Sequence, residues 1–209
     1  MRRMRLNLIH GFAVAVLLSP PLIAETSADE ARQAEVQQVR FSTVQPAGVS
    51  RNWRQMAVQI QVHGPAETDV INTRFVDDVE VTVRKSYDVS SGGTEKIRFY
   101  RASVVLPTLE RGRHTLHFFL PPEVVRRDRI TGDPQAYEVL LRLGGNEQET
   151  GSNARSSLLA RDSVRESFRE RLEVEAEEND GILLPLHLTP FVNEQRYLRD
   201  MPSVRRGGE

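Results

Sequence analysis

The residues best suited to metal binding and acid–base chemistry are a few histidines and one pair of adjacent aspartates. After residue 24 the histidines are His63, His114, His117 and His187. His114 and His117 are three residues apart, which places both rings on one side of a helix but on opposite faces of a strand. The sequence around them predicts a strand, and the adjacent Asp77 and Asp78 diverge in the same way. We therefore expect neither a metal site from the histidine pair nor a glycosidase pair from the two carboxylates.

Other catalytic signatures do not occur in the sequence. It contains no cysteine, which excludes thiol catalysis and Cys-ligated metals. It also contains no G-x-S-x-G, no glycine-rich phosphate loop and no H-E-x-x-H. We therefore predict a protein that is not an enzyme, with no catalytic, cofactor-binding or metal-binding residues. A hydrolase whose carboxylates come from distant strands stays an open alternative.

The N-terminus has the layout of a secretory signal peptide. Arg2, Arg3 and Arg5 precede an apolar run at 12–24, and a polar, acidic stretch begins at Glu25. The run is interrupted by Pro20–Pro21 and is shorter than the ~20 residues that a membrane-spanning helix needs. We predict a signal peptide at residues 1–24, with cleavage also allowed as late as Ala28, and no membrane span after its removal. A retained anchor is the alternative.

The charge balance says which partners the exported chain is suited to. The predicted leader holds three of the 28 basic residues and none of the 29 acidic ones, which leaves 25 − 29 = −4 on the remainder. That balance gives no electrostatic footprint for nucleic acid. We predict a location in the periplasm, at the outer membrane or on the cell surface.

Residues 35–145 show the period-two alternation of half-buried strands. Six such runs with turns between them predict an antiparallel β-sandwich. The apolar residues of the clearest run are Met56, Val58, Ile60 and Val62. The runs at 97–107 and 116–120, joined across the glycine at 112, predict a β-hairpin. Pro121–Pro122 should end the second run and begin a short helix.

Residues 146–191 differ in character and are expected to pack on the same domain. After a polar loop, apolar residues recur every four positions, which indicates a helix; they are Ala160, Val164, Phe168 and Leu172. The helix should end near Gly181, and its alternating arginines and acids predict a solvated face. The apolar run from Ile182 to Phe191 predicts a last strand or an extended arm against the sandwich. Residues 192–209 predict a mobile polar tail.

Two neighbouring aromatics keep a second kind of function open. Phe118 and Phe119 point to opposite faces of one strand, so one of them is exposed unless the helix covers it. An exposed aromatic on a sandwich face is what a carbohydrate-binding module uses to stack sugars. An envelope carbohydrate-binding module, with glycans as ligands, is therefore the alternative function.

Several short segments resemble a known family. They are Asn52–Trp53, Phe75–Val79, Phe119–Glu123, Gly181–Pro185 and Leu188–Phe191. In this order and spacing the chain resembles exported, pilus-like proteins that verrucomicrobial bacteria encode near type IV pilus genes. The resemblance implies an immunoglobulin-like sandwich with an added C-terminal helix, and a role in pilus assembly or adhesion without established catalysis.

The N-terminal sequence differs from that of a polymerising pilin. A prepilin has a glycine before a long apolar helix with an acid at its fifth position. Gly11–Phe12 is similar to such a start, but Val16 stands at the fifth position and Pro20 cuts the helix short. We therefore expect a protein that acts beside a pilus rather than as its polymerising subunit.

Together these observations predict a non-enzymatic, exported, immunoglobulin-like protein that acts through protein–protein contacts. Its expected partners are other envelope or pilus proteins. Open strand edges are natural contact sites, because their N–H and C=O groups can accept a partner strand. The preferred interaction segment is Leu188, Pro190 and Phe191 in the apolar arm, and a simple core role is the alternative for that arm.

Overall fold

The computed structural model of the protein describes residues 32–48, 50–65, 72–89, 96–198 and 202–204. The predicted leader, with its cleavage sites, and the predicted loop at 90–93 lie outside the described residues. The described ranges form two antiparallel sheets with short helices around them. The predicted mainly-β class, an immunoglobulin-like antiparallel β-sandwich with an added C-terminal helix, is confirmed.

Each sheet has four strands. Sheet A has the order β1 (Ala34–Val44), β2 (Trp53–Val62), β5 (Gly112–Leu120) and β8 (Leu184–Pro185). Sheet B has the order β4 (Ile97–Glu110), β3 (Phe75–Asp88), β6 (Ala136–Leu143) and β7 (Asn146–Glu147). The α-helices are α1 (Pro122–Arg127), α2 (Asp162–Glu175) and α3 (Gln195–Leu198). Single 3₁₀ turns lie at Ser152–Ala154, Ser157–Ala160, Glu177–Asn179, Leu186–Leu188 and Pro190–Asn193.

The core lies between the two sheets and is built by alternation. In β2 every second residue is fully buried, as predicted: Met56, Val58, Ile60 and Val62. Val79, Val81 and Val83 of β3 face them from sheet B and are equally buried. Each such side chain contributes ~1.5–3 kcal/mol on burial. Because the chain has no cysteine, this burial has to stabilise the fold without disulfides.

The predicted hairpin between the runs at 97–107 and 116–120 is wrong. β4 pairs with β3 in sheet B, whereas β5 pairs with β2 in sheet A. The chain crosses from one sheet to the other at Gly112, whose φ of 136° favours glycine. Both strands have one apolar face, and alternation alone does not say which strands pair across a turn.

The predicted helix is present with different ends. Phe168 and Leu172 are buried against Phe99 of β4 and Ala136 of β6. Ala160, by contrast, is exposed and lies in a 3₁₀ turn before the helix. The helix stops at Glu175, because the chain tightens into another 3₁₀ turn before it reaches Gly181.

The C-terminal arm, defined here as residues 182–198, closes one side of the sandwich. Its strand β8 pairs with Phe118 and Phe119 of β5. The sequence predicts a mobile tail from Val192, but the arm stays packed through α3. Tyr197 is 4% exposed, because its ring packs on sheet A. For residues 192–198 the prediction of a mobile tail is therefore corrected.

Candidate interaction surface

The predicted interaction segment divides between a buried and an exposed part. Phe191 is fully buried, whereas Leu188 is 60% exposed and Pro190 is exposed. Thr189 begins the 3₁₀ turn between them, since its Oγ1 accepts a hydrogen bond from the Phe191 backbone N–H at 3.3 Å. In this conformation Phe191 serves packing, and of the three side chains only Leu188 and Pro190 are available to another molecule.

Phe191 belongs to an aromatic cluster on the outer face of sheet A, which we call the arm cluster: Trp53, Phe119, Phe191 and Tyr197. Phe191 stacks on Phe119 with ring centroids 4.7 Å apart, and it meets Trp53 edge-on at 5.5 Å. Phe119 is therefore fully buried, and the arm covers it, which the sequence analysis did not consider. Phe119 offers no open face on which a sugar could stack.

A hydrogen-bonded set of polar groups closes the arm cluster. The Tyr197 hydroxyl donates to Oε1 of Gln55 at 3.2 Å. Nε2 of Gln55 lies 2.7 Å from Nδ1 of His117, and because an amide nitrogen donates, this ring nitrogen accepts. Burial raises the pKa of Tyr197. The sequence analysis did not identify Tyr197. It lies in a mostly polar stretch six residues after Phe191 and belongs to no apolar pattern that would predict its burial.

The other predicted chemistry candidates do not converge. Nε2 of His114 lies 2.7 Å from the Glu110 carbonyl oxygen, on the opposite face of β5 from His117. Asp77 and Asp78 are both exposed. Within the described ranges, no group of three or more His, Cys, Asp or Glu residues could hold a metal ion.

The outer face of sheet B is covered by α2 and by ion pairs. Arg169 of α2 donates from Nη2 to Glu138 of β6 at 2.6 Å, and Glu138 is only 2% exposed. The hydrogen bond to Glu138 raises the pKa of Arg169. Arg101 of β4 donates from Nε and Nη2 to the two carboxylate oxygens of Asp180, each at 2.8 Å, which lowers the pKa of Asp180. The helix face predicted to be only solvated therefore also fastens the helix to the sheet.

A buried polar cluster ties α1, β4 and the 3₁₀ turn after α2 together. Asp128 accepts hydrogen bonds from the Tyr100 hydroxyl and from Arg127, the latter at 2.7 and 2.9 Å. Burial alone raises the pKa of Asp128, but these donors outweigh it and the pKa is lowered. Arg127 also donates to Asn179, whose Nδ2 donates to the Phe99 carbonyl at 3.0 Å.

The backbone groups of β4 show which of its residues face the open edge. β4 is at the end of sheet B and pairs only with β3. The Lys96 carbonyl accepts from the Val89 N–H at 2.8 Å, so it points toward β3. The Phe99 carbonyl accepts from Asn179 and points away from β3. Since direction alternates along a strand, odd-numbered residues of this stretch point outward.

Three consecutive outward positions form what we call the open edge: Arg101, Ser103 and Val105. In the part of the chain that the structure describes, no hydrogen bond joins their backbone groups to another strand. β1, the end strand of sheet A, has a register shift at Gln37 and pairs regularly with β2 from Gln38 to Val44, whereas segments at 146–148 and 155–156 bond to β6. The open edge is thus a regular stretch whose backbone groups pair with no strand among the described residues, although β8 lies close to β4.

A groove of about 480 Å³ lies beside the open edge. One wall is β4 from Arg101 to Val105, and the other wall is the chain from Asp180 to Leu188 together with Val204. Exposed Leu188 and half-buried Leu184 make the arm side of the groove apolar. The structure thus brings part of the predicted segment, Leu188, next to an edge that can accept a strand.

A second, more polar groove of about 980 Å³ lies beside β1. Gln37, Gln38 and Gln59 line it together with Arg155 and the half-buried ring of Tyr137. Amides, a guanidinium and an aromatic ring are groups that hydrogen-bond and stack on sugars.

Comparison with known proteins identifies the fold. The sequence matches no protein-family model. No curated protein is significantly similar to it. The structure is similar to a crystal structure of a protein from Akkermansia muciniphila, with a TM-score of 0.60 and 13% identity over 84% of this chain and 94% of that chain. At this identity the likeness establishes a shared fold alone.

Among the residues described, every helix is too short or too polar to span a bilayer.

Proposed function

We propose that this protein is exported and acts without catalysis, through protein–protein contacts in the assembly or adhesion of a type IV pilus-like system. The observation that carries the proposal is the open edge of β4, whose outward backbone groups lie beside an apolar groove. Such an edge accepts a strand from another protein by main-chain pairing. The expected partners are other envelope or pilus proteins, in the periplasm, at the outer membrane or on the cell surface.

Two further observations support the proposal. The leader-like N-terminus favours export. The similar crystal structure comes from a verrucomicrobial bacterium, the group to which the sequence resemblance points.

Capture of partners from envelope extracts of the producing bacterium tests the proposal. The bait is the full-length protein expressed with its own leader, compared with the variants Ser103→Pro and Ser103→Ala. Both variants lose the hydroxyl that hydrogen-bonds to Thr82 and Glu80, but only proline loses the outward N–H. We expect pilus components with the wild type and Ser103→Ala and their loss with Ser103→Pro. Capture of no envelope protein by any of the three would refute the proposal.

The polar groove beside β1 supports glycan binding as the second candidate function. A glycan array with the wild type and with Tyr137→Ala tests it directly. Binding that disappears in Tyr137→Ala would favour this function, and no binding by the folded wild type would exclude it.

A further inference from the structure

We infer that the polar groove beside β1 binds an oligosaccharide that carries carboxylate groups. The inference rests on the second candidate function, because it names the class of glycan that this groove takes. β1 and β8 are the two end strands of sheet A, so the groove lies at the other edge of the sandwich from the open edge of β4.

Main-chain contacts shape the groove. One wall is β1, and the other is the segment 151–157, which is joined to β6 because the Ser156 N–H donates to the Tyr137 carbonyl at 3.0 Å. The register between β1 and β2 shifts at Gln37, which has no partner residue in β2. Such a bulge bends a strand and redirects its side chains, and Gln37 lies half-buried in the groove. The volume of about 980 Å³ falls within the range of ligand-binding clefts, about 300–1,000 Å³.

Arg32 gives the groove a positive charge that the protein compensates poorly. Nε of Arg32 is buried and has no hydrogen-bond acceptor. Among the described residues its guanidinium forms one ion pair, in which Nη2 lies 3.7 Å from Oε1 of Glu149. The side chain of Glu149 is 80% exposed, so water screens this contact. A partly desolvated cation without a close counter-charge is unfavourable, and an anion bound in the groove would stabilise it.

Arg155 and Tyr137 add hydrogen-bond donors to the same groove. In the described ranges, the guanidinium of half-buried Arg155 and the Tyr137 hydroxyl take part in no hydrogen bond or ion pair. Burial raises the pKa of Tyr137, so its hydroxyl stays protonated and can donate. The one carboxylate in the lining, of the residues that the structure describes, is Glu35, which lies 3.5 Å from Nε2 of His63. Two guanidiniums and one carboxylate therefore leave the groove with an excess of positive charge and of donors.

The chemistry of these groups selects the ligand. A guanidinium binds a carboxylate through two parallel, charge-assisted hydrogen bonds, which a neutral sugar cannot offer. The ring of Tyr137 is held edge-on by Phe41, with centroids 5.2 Å apart, and its half-buried face can pack on a sugar. An acidic peptide usually adds apolar anchors, for which this mostly polar groove has little surface. Amide side chains, which donate and accept as sugar hydroxyls do, supply much of the lining; they are Gln37, Gln38, Gln59 and Asn153.

An array of acidic oligosaccharides and their methyl esters tests the inference with the full-length, exported protein. The acids are oligogalacturonate, oligomannuronate, hyaluronan fragments and sialyllactose, and each methyl ester keeps the sugar but removes the charge. We expect at least one acid to bind, and its methyl ester to bind at least tenfold more weakly in titration calorimetry. Polyglutamate is the control for a carboxylate without a sugar and should not bind.

Substitutions locate the binding in the groove. Arg155→Gln should weaken binding of the acid by roughly tenfold, because a hydrogen bond to a charged group is lost, and should leave binding of the ester unchanged. Tyr137→Phe removes only the hydroxyl and should also weaken binding. Arg126→Gln makes the same change of net charge on an exposed position of α1 outside the groove, and should bind as the wild type does. Circular dichroism of each variant establishes that its fold is intact.

The outcomes separate this inference from the candidate function on which it rests. Binding of esters as tight as that of acids, or equal weakening by Arg126→Gln and Arg155→Gln, overturns the inference but leaves glycan binding standing. Polyglutamate that binds as tightly as the acids overturns the assignment to a saccharide. A folded wild type that binds no acid and no ester overturns both the inference and glycan binding, and leaves the proposed protein–protein function unaffected.

Discussion

The outer faces of the two sheets are covered by different kinds of interaction. Sheet A is covered by the arm cluster, in which Phe191 and Phe119 stack and the polar groups of Tyr197 and Gln55 satisfy each other. Sheet B is covered by α2, which combines a small apolar contact at Phe168 with ion pairs to the sheet. One cover is therefore held mainly by apolar burial, and the other depends more on charge.

This difference shows where the molecule can still bind. The aromatic cover extends over its face as far as Tyr197, whereas α2 packs on Phe99 of β4 and reaches Arg101 only through Glu173. The backbone edge of β4 from Arg101 to Val105 pairs with no strand among the described residues. Substitutions should therefore affect stability most in the arm cluster and binding most at the open edge.

The largest expected effect is in the arm cluster. Phe191→Ala removes a fully buried ring that contacts Phe119, Trp53 and Tyr197. We expect a loss of about 3–5 kcal/mol in the free energy of unfolding, measured by urea denaturation. Leu188→Ala is the control from the same arm and should change it by less than about 0.5 kcal/mol, because Leu188 is 60% exposed. Equal losses would mean that the arm does not pack as described.

The core between the two sheets contains a buried lysine side chain. Lys85 of β3 is 1% exposed, and among the described residues no carboxylate forms an ion pair with it. Burial and then the positive charge of Arg54 lower its pKa from 10.5 to about 7. Between pH values of about 7 and 10.5, Lys85 is protonated in the unfolded chain but mostly neutral in the folded chain. The free energy of unfolding therefore rises with pH over this range.

Lys85→Met should therefore stabilise the protein, and most strongly near or below pH 7. We expect a gain of about 2–5 kcal/mol there, because each pKa unit corresponds to about 1.4 kcal/mol. The gain should shrink as the pH approaches 10. Urea denaturation of both proteins between pH 6 and 10 measures this difference, and a gain that does not vary with pH would contradict the explanation.

The charged cover should respond less than the aromatic one. Glu138→Gln keeps the size of a buried side chain but removes the negative charge that Arg169 and Arg84 face. We expect a loss of about 2 kcal/mol, typical of hydrogen bonds to charged groups. The loss should persist in 1 M salt, because Glu138 is shielded from solvent. A loss larger than that of Phe191→Ala would reverse the comparison between the two covers.

The sequence predicted the elements better than their partners. Alternation located all six long strands, and Phe168 and Leu172 located the helix. It could not show that β4 and β5 belong to different sheets, because pairing depends on contacts distant in sequence. It also left open whether Phe118 or Phe119 is exposed and named only the helix as a cover, because no local pattern shows that the chain folds back and places Tyr197 on sheet A.

The same dependence on contacts distant in sequence explains why the interaction surface was predicted only in part. Sequence reasoning selected Leu188, Pro190 and Phe191 because they are apolar, but only Leu188 lies beside the groove. The open edge was predicted in general terms, as unpaired strand edges of a sandwich. Its position at Arg101–Val105 depends on the hydrogen bond from Asn179 to Phe99, 80 residues apart in sequence.

The smallest expected effect distinguishes buried from exposed charge within the same cover. On α2, Arg171 donates from Nε to Glu175 at 2.9 Å, and both side chains are more than a third exposed. Glu175→Gln should cost only about 0.3–0.5 kcal/mol at low salt, as for other exposed pairs four residues apart on a helix. In 1 M salt the Debye length falls to about 3 Å and the loss should disappear, unlike that of Glu138→Gln. If Glu175→Gln kept its full effect in high salt, solvent exposure would not explain the difference between the two ion pairs. The exposed pair would then stabilise the contact of α2 with sheet B in the same way as the buried pair.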